Sequence, residues 1–169
     1  MIYLSKNNFL GKTQNGFLVF DRIDSHFHFE GGLTIETLKE GLAMVNFPYK
    51  DNFYRAEIVF DNFIGYSQCV KIDETDKVKM YYRKGREGKT PMVFNRKPEP
   101  SKILTIVLQR YSLSQDLVLV TAFIGGGSTP EPWDKKFNSD PKGYAKSVEY
   151  WKTHALIYRE NLIDQARNK

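Results

Sequence analysis

Short extended runs dominate the hydrophobic pattern of the chain, and two stretches switch to helical spacing. From residue 56 onward, runs rich in β-branched and aromatic residues follow one another: AEIVF (56–60), YSQCVKI (66–72), KVKMYY (77–82), PMVF (91–94), KILTIVLQRY (102–111) and DLVLVTAFI (116–124). Such residues suit a pleated, half-buried surface, and polar pieces such as DETD and GREGK punctuate them, which predicts an antiparallel meander. The last two runs are the most apolar, so they are expected at the sheet's centre. The Ser-Leu-Ser-Gln piece between them is short enough for a hairpin. Upstream, FLVF (17–20) and the alternating stretch 23–29 read as two short extended segments, with Asp21 and Asp24 available for turn hydrogen bonds.

The first helical stretch covers 33–45, where Ile35, Leu38, Leu42 and Val45 recur at helical spacing behind a Thr34 that can cap the first turn. Pro48 follows its end. The second covers 144–158, with Ala145, Val148, Tyr150, Trp151 and Ala155 as its packing side, and Trp133 and Trp151 read as core anchors. Between the last strand and this helix, GGGSTPEPWD cannot continue a strand. The polar tail, 159–169, is expected to fray. No repeat, heptad seam or linker interrupts the pattern. The expectation is therefore an α+β fold, an antiparallel sheet with helices packed on one side, as a single domain over 1–169 with its core at about 17–158.

Composition narrows the class. With 169 residues, 41% of them hydrophobic and 14% aromatic, the chain is long enough to bury a full core. Cys69 is the only cysteine, so no internal disulfide forms, and a free thiol suits a reducing compartment. No stretch approaches the roughly 18 apolar residues of a membrane span, and the first fifteen residues have no apolar leader core. A cytoplasmic protein without membrane contact is expected. Lys and Arg number 25 against 20 Asp and Glu, a net charge of +5 that favours polyanionic partners.

Three histidines, His26, His28 and His154, are the side chains suited to proton transfer near neutrality. On an extended segment His26 and His28 share a face and can serve one substrate or one metal ion, or be ordinary surface or core residues. No further His or Cys cluster completes a metal site, and no cofactor motif of the GxGxxG, HExxH or CxxC kind occurs, so neither metal nor cofactor is expected. In YYRKGREGKTP (81–91), Arg83, Lys84, Arg86 and Lys89 crowd a glycine-punctuated turn. Guanidinium forks and lysines accept phosphate oxygens, and Tyr81 and Tyr82 can stack on bases. The alternative is a solvated hairpin tip. Thr121, near the end of the last strand, is either a plain strand former or a hydrogen-bond donor at the sheet's mouth.

In order along the chain, SHFHFEGGLTIETL, RKGREGKTPMVF, LVTAFIG, EPWD and WKTHALIY resemble the metal-independent ribonuclease toxins of the barnase, EndoU, colicin and RelE-like superfamily, particularly phage and mobile-element members. The resemblance spans about 25–158 and implies a small antiparallel sheet with helices on one side. It also implies RNA cleavage without metal through attack of the 2′-hydroxyl, and neutralisation by a protein inhibitor, an antitoxin or immunity protein. Carried over, His26 matches the Ser-His histidine, Arg83 and Lys84 the basic strand residues, and Thr121 the threonine of TAF. His154 stands as a second catalytic histidine or a packing feature. His28, Tyr82, Arg86, Lys89 and Thr90 are then the expected substrate contacts, with RNA the partner. His28 departs from the pattern, since an aliphatic residue often follows there. A noncatalytic nucleic-acid or protein binding module with the same basic turn is the other reading.

Overall fold

The structure, a computed structural model, describes residues 9–27, 30–111, 116–126 and 129–169, and side chains are described throughout except at 22–27 and 30. His28 and the Ser-Leu-Ser-Gln turn lie outside the described residues. In chain order the elements are β1 (Phe9–Lys12), β2 (Leu18–Phe27), α1 (Ile35–Leu42), β3 (Phe53–Val59), β4 (Gly65–Ser67), β5 (Cys69–Lys71), β6 (Val78–Tyr82), β7 (Lys89–Val93), β8 (Glu99–Ser101), β9 (Ile103–Arg110), β10 (Leu117–Ile124), α2 (Pro141–Thr153) and β11 (His154–Ile157). The chain divides into two compact units. Unit 1 takes residues 1–67 and 100–126, and unit 2 takes 68–99 and 127–169.

Unit 1 is built on a five-stranded sheet of order β1-β2-β10-β9-β3. The two most apolar runs, β9 and β10, pair antiparallel at its centre, Ile106 opposite Ala122. The fold remains α+β, but the sheet is mixed rather than antiparallel throughout, because β2 runs parallel to β10. The two short segments expected at 17–20 and 23–29 fall within one strand, which pairs with β10 at 19–21 and again at 26–27 with a register shift between the two stretches. One face of the sheet is apolar: Leu104, Ile106 and Leu108 of β9 and Leu117, Leu119, Ala122 and Ile124 of β10 join Leu38 and Leu42 of α1 in a buried core. Helix α1 begins as its cap predicts, with the Thr34 hydroxyl accepting from the Thr37 N–H at 3.1 Å. Gly41 brings the helix onto the sheet, since a Cβ there would stand 2.6 Å from Leu104.

Unit 2 holds a four-stranded sheet of order β5-β11-β7-β6, also mixed: β6 and β5 pair antiparallel with their neighbours, whereas β11 lies parallel to β7. Two sequence expectations are corrected here. The helix read over 144–158 starts earlier, at Pro141 behind an Asp140 cap, and ends at Thr153. HALI is a strand, because between β5 and β7 its alternating Ala155 and Ile157 are buried with Val70 and Val93. The tail does not fray. Ile163 is buried and bridges to Arg83, the Asp164 N–H donates to the Tyr82 carbonyl at 3.0 Å, and the Asn168 amide closes on Tyr82 from the same side. Among the described residues no helix is long and apolar enough to cross a membrane.

Candidate functional site

The residues singled out in the sequence fall into two groups, one in each unit. In unit 1, His26 and Thr121 are backbone partners across the parallel β2/β10 ladder. The register shifts between Leu119 and Thr121: against β9 the extra residue lies in β10, whereas against β2 the extra residues lie in β2, whose pairing passes from Asp21 to His26. Bulges of this kind re-aim the side chains beyond them. Past Thr121, the strand end is pinned. Gly125 takes a φ of 108°, its N–H donates to the Ile103 carbonyl at 2.8 Å, and its own carbonyl accepts from the Thr105 hydroxyl at 2.6 Å. A Cβ at Gly125 would stand 2.4 Å from the Ser67 hydroxyl oxygen, so only glycine fits there. Two residues from motifs far apart in sequence thus meet at matched positions on adjacent central strands.

In unit 2, the turn between β6 and β7 carries the cations. Arg83 is not one of the exposed ones. Its Nε donates to the Thr90 hydroxyl at 3.1 Å, and its terminal nitrogen makes an ion pair with Glu131, which also accepts from Thr90 at 2.9 Å. Thr90 is fully buried and Glu131 is 8% exposed. Burial pushes the Arg83 pKa down, while the Glu131 carboxylate opposes that and holds the guanidinium charged. Glu131 comes from PEPWD, and Trp133 of the same segment fixes that segment to the hairpin: its indole N–H donates to the Lys89 carbonyl at 2.9 Å. Gly88 permits this approach, because a Cβ on it would lie 2.1 Å from the Trp133 ring.

Lys84, Arg86 and Lys89 are exposed. The Lys84 N–H donates to the Leu162 carbonyl, and the Arg86 carbonyl accepts from the Arg167 guanidinium at 2.5 Å, so the tail sets the turn's shape while these side chains face outward. The Tyr82 ring, expected to stack on a base, already carries cations: Arg167 Cζ stands 4.0 Å and Lys89 Nζ 5.2 Å from its centroid. Arg167 and Glu131 escaped the sequence reading. A lone acid between two prolines was the only available hint for Glu131, and a frayed-looking tail gave none for Arg167.

His154 stands where α2 passes directly into β11. Its Nδ1 lies 2.9 Å from the Tyr150 carbonyl and 2.9 Å from the Thr153 hydroxyl, and its ring stacks on Tyr150 at 4.0 Å. A carbonyl only accepts, so Nδ1 donates the hydrogen bond to it. The ring therefore closes the end of the helix. Cys69, 3.2 Å from the Tyr150 hydroxyl, has its thiol pushed up to about 11 by burial, so it stays protonated near neutrality and is no nucleophile. Among the described residues no group of three or more His, Cys, Asp or Glu side chains is placed to hold a metal ion.

Comparison with known proteins adds a fold likeness and no activity. No family model matches the chain, and no curated protein does. Among solved structures, the 2.35 Å crystal structure of a conserved hypothetical protein from Toxoplasma gondii ME49 is similar, with a TM-score of 0.51 and 16% identity, covering 78% of this chain and 89% of that one. At that identity the likeness shows a shared fold alone.

Proposed function

We propose that the protein is a metal-independent endoribonuclease of the ribonuclease-toxin type, which cleaves RNA through its 2′-hydroxyl and binds it through the basic turn of unit 2. The observation that carries this reading is the pairing of His26 with Thr121 on neighbouring strands of one sheet. Cleavage needs a base for the 2′-OH proton and donors for the charge that builds on phosphorus. His26 takes the proton, O2′ bonds to phosphorus as the P–O5′ bond breaks, and O5′ takes its proton from water. Thr121 donates a hydrogen bond to a phosphate oxygen. Without a 2′-hydroxyl, DNA is untouched. The test is total RNA incubated in EDTA: the RNA is cut and DNA is not, whereas intact RNA defeats the reading.

Binding has its own expected outcome. Lys84, Arg86 and Lys89 are the turn's exposed cations, Arg83 being held by Glu131. Each phosphate contact to single-stranded RNA contributes about 0.7 to the slope of log affinity against log salt, so the Lys84→Ala/Arg86→Ala/Lys89→Ala variant should flatten that slope by about 2. An unchanged slope removes this surface from RNA binding.

A noncatalytic nucleic-acid or protein binding module is the second reading. It is favoured by the structural duties of two expected catalytic groups, Arg83 in its ion pair and His154 at the helix end. RNA bound but uncut in EDTA decides for it.

A further inference from the structure

The two adjacent tyrosines of β6 point to opposite faces of the unit 2 sheet, because neighbouring residues of a strand alternate. Tyr82 is the one already occupied, by Arg167 and Lys89. Tyr81 is in register with Thr90, so it shares the face on which Thr90 meets Glu131. At the turn end the PEPWD segment lies on that face; at the other end rings take its place. The Phe94 N–H donates to the Lys77 carbonyl at 3.0 Å and the Tyr158 N–H to the Val93 carbonyl at 3.0 Å, which sets the ends of β6, β7 and β11 side by side. Phe94 and Tyr158 stack there with centroids 4.6 Å apart and planes 24° apart, and Tyr81 stands 5.4 Å from Tyr158 and 5.9 Å from Phe94.

Three packed rings are by themselves an ordinary surface cluster. Two observations point to a ligand. The Phe94 ring is 46% exposed although Tyr158 is stacked on it, so a flat group can reach it. The rings are also flanked by uncompensated positive charge. Lys79 Nζ lies 5.4 Å from the Tyr81 centroid, Lys77 and Lys79 are exposed, and neither makes an ion pair among the described residues. Asp76, the acid next to Lys77, is taken by Arg96. Single-stranded nucleic acid needs both features together, a ring for each base to stack on and cations for the backbone phosphates.

We propose that Tyr81, Phe94 and Tyr158 are a stacking platform for the bases of single-stranded RNA, with Lys77 and Lys79 placed for its phosphates. The platform rests on the reading of RNA as the ligand, and it extends the binding surface from the β6–β7 turn to the far end of the same hairpin. The probe is a labelled, single-stranded 2′-O-methyl oligonucleotide, which the proposed chemistry cannot cut, followed by anisotropy. Stacking of one base is worth about 5- to 150-fold in affinity, and Phe94→Ala should weaken binding by that much. Phe94→Leu keeps the apolar bulk and should lose nearly as much, whereas Phe94→Trp should bind at least as well as the parent. An RNA duplex, whose bases already stack on one another, should bind all four proteins equally. Lys77→Ala/Lys79→Ala should flatten the slope of log affinity against log salt by about 1.4. If Phe94→Ala or Phe94→Leu binds the single strand like the parent, the platform is overturned, RNA remains the ligand, and the rings are left to a protein partner. A parent that binds no RNA overturns the platform and the RNA reading together. A parent that stacks RNA on Phe94 but cuts none in EDTA keeps the platform and gives up the ribonuclease.

Discussion

Replacing His26 with alanine is expected to slow RNA cleavage about 10²- to 10⁴-fold while leaving the affinity for RNA as it was. The two effects separate because the proposed function assigns binding to the exposed cations of the β6–β7 turn and the proton transfer to the histidine on β2. In free energy the loss is about 3–5 kcal/mol of barrier. His154→Ala is the matched control. Its Nδ1 donates to the Tyr150 carbonyl at the end of α2, so its loss should cost about 1 kcal/mol of stability and change cleavage by no more than a few fold. Equal losses of activity in the two variants would give His154 a part in the chemistry, and an unaffected His26→Ala enzyme would take the base away from β2.

The largest stability effect falls on a residue with no proposed role in the reaction. Glu131→Ala leaves the Arg83 guanidinium buried without its carboxylate and Thr90 without its acceptor, a loss of about 3–5 kcal/mol for a broken buried pair. Urea unfolding followed by tryptophan fluorescence reads this directly, because both tryptophans, Trp133 and Trp151, lie in unit 2. Removing both charges together, as Arg83→Met/Glu131→Leu, should cost less than removing Glu131 alone, since no charge is then stranded. If the double variant loses as much as the sum of the single ones, the two groups do not act as a pair.

These expectations show where the sequence was readable. Thr34, the spacing of Leu38 and Leu42, and the apolar runs of β9 and β10 are local signals, and each produced the element it announced. The parallel partnership of β2 with β10 was not legible, because it is fixed by pairing between residues far apart in the chain. HALI illustrates the same limit: Ala155 continues the helical spacing of α2, but pairing with β5 and β7 offers backbone bonds and burial on both sides, and this outweighs local spacing. The tail looked like a fraying end because its few apolar residues are scattered. Ile163 and the Asn168 amide find partners only once β6 exists.

The site divides along the same line. His26 and Thr121 stand in short local motifs, and the ladder pairs their backbone positions. Arg83 was found too, but as an exposed phosphate ligand, since nothing near it in sequence announces Glu131, which arrives from the segment after β10.

The most direct test of the central claim is the chemistry of the ends left on a short RNA cut in EDTA. Attack by the 2′-hydroxyl leaves a 2′,3′-cyclic phosphate on one product and a free 5′-hydroxyl on the other, and a 2′-O-methyl group at the cleavage position should block the cut completely. Products ending in 3′-hydroxyl and 5′-phosphate, or no products until a divalent metal is added, would contradict the account.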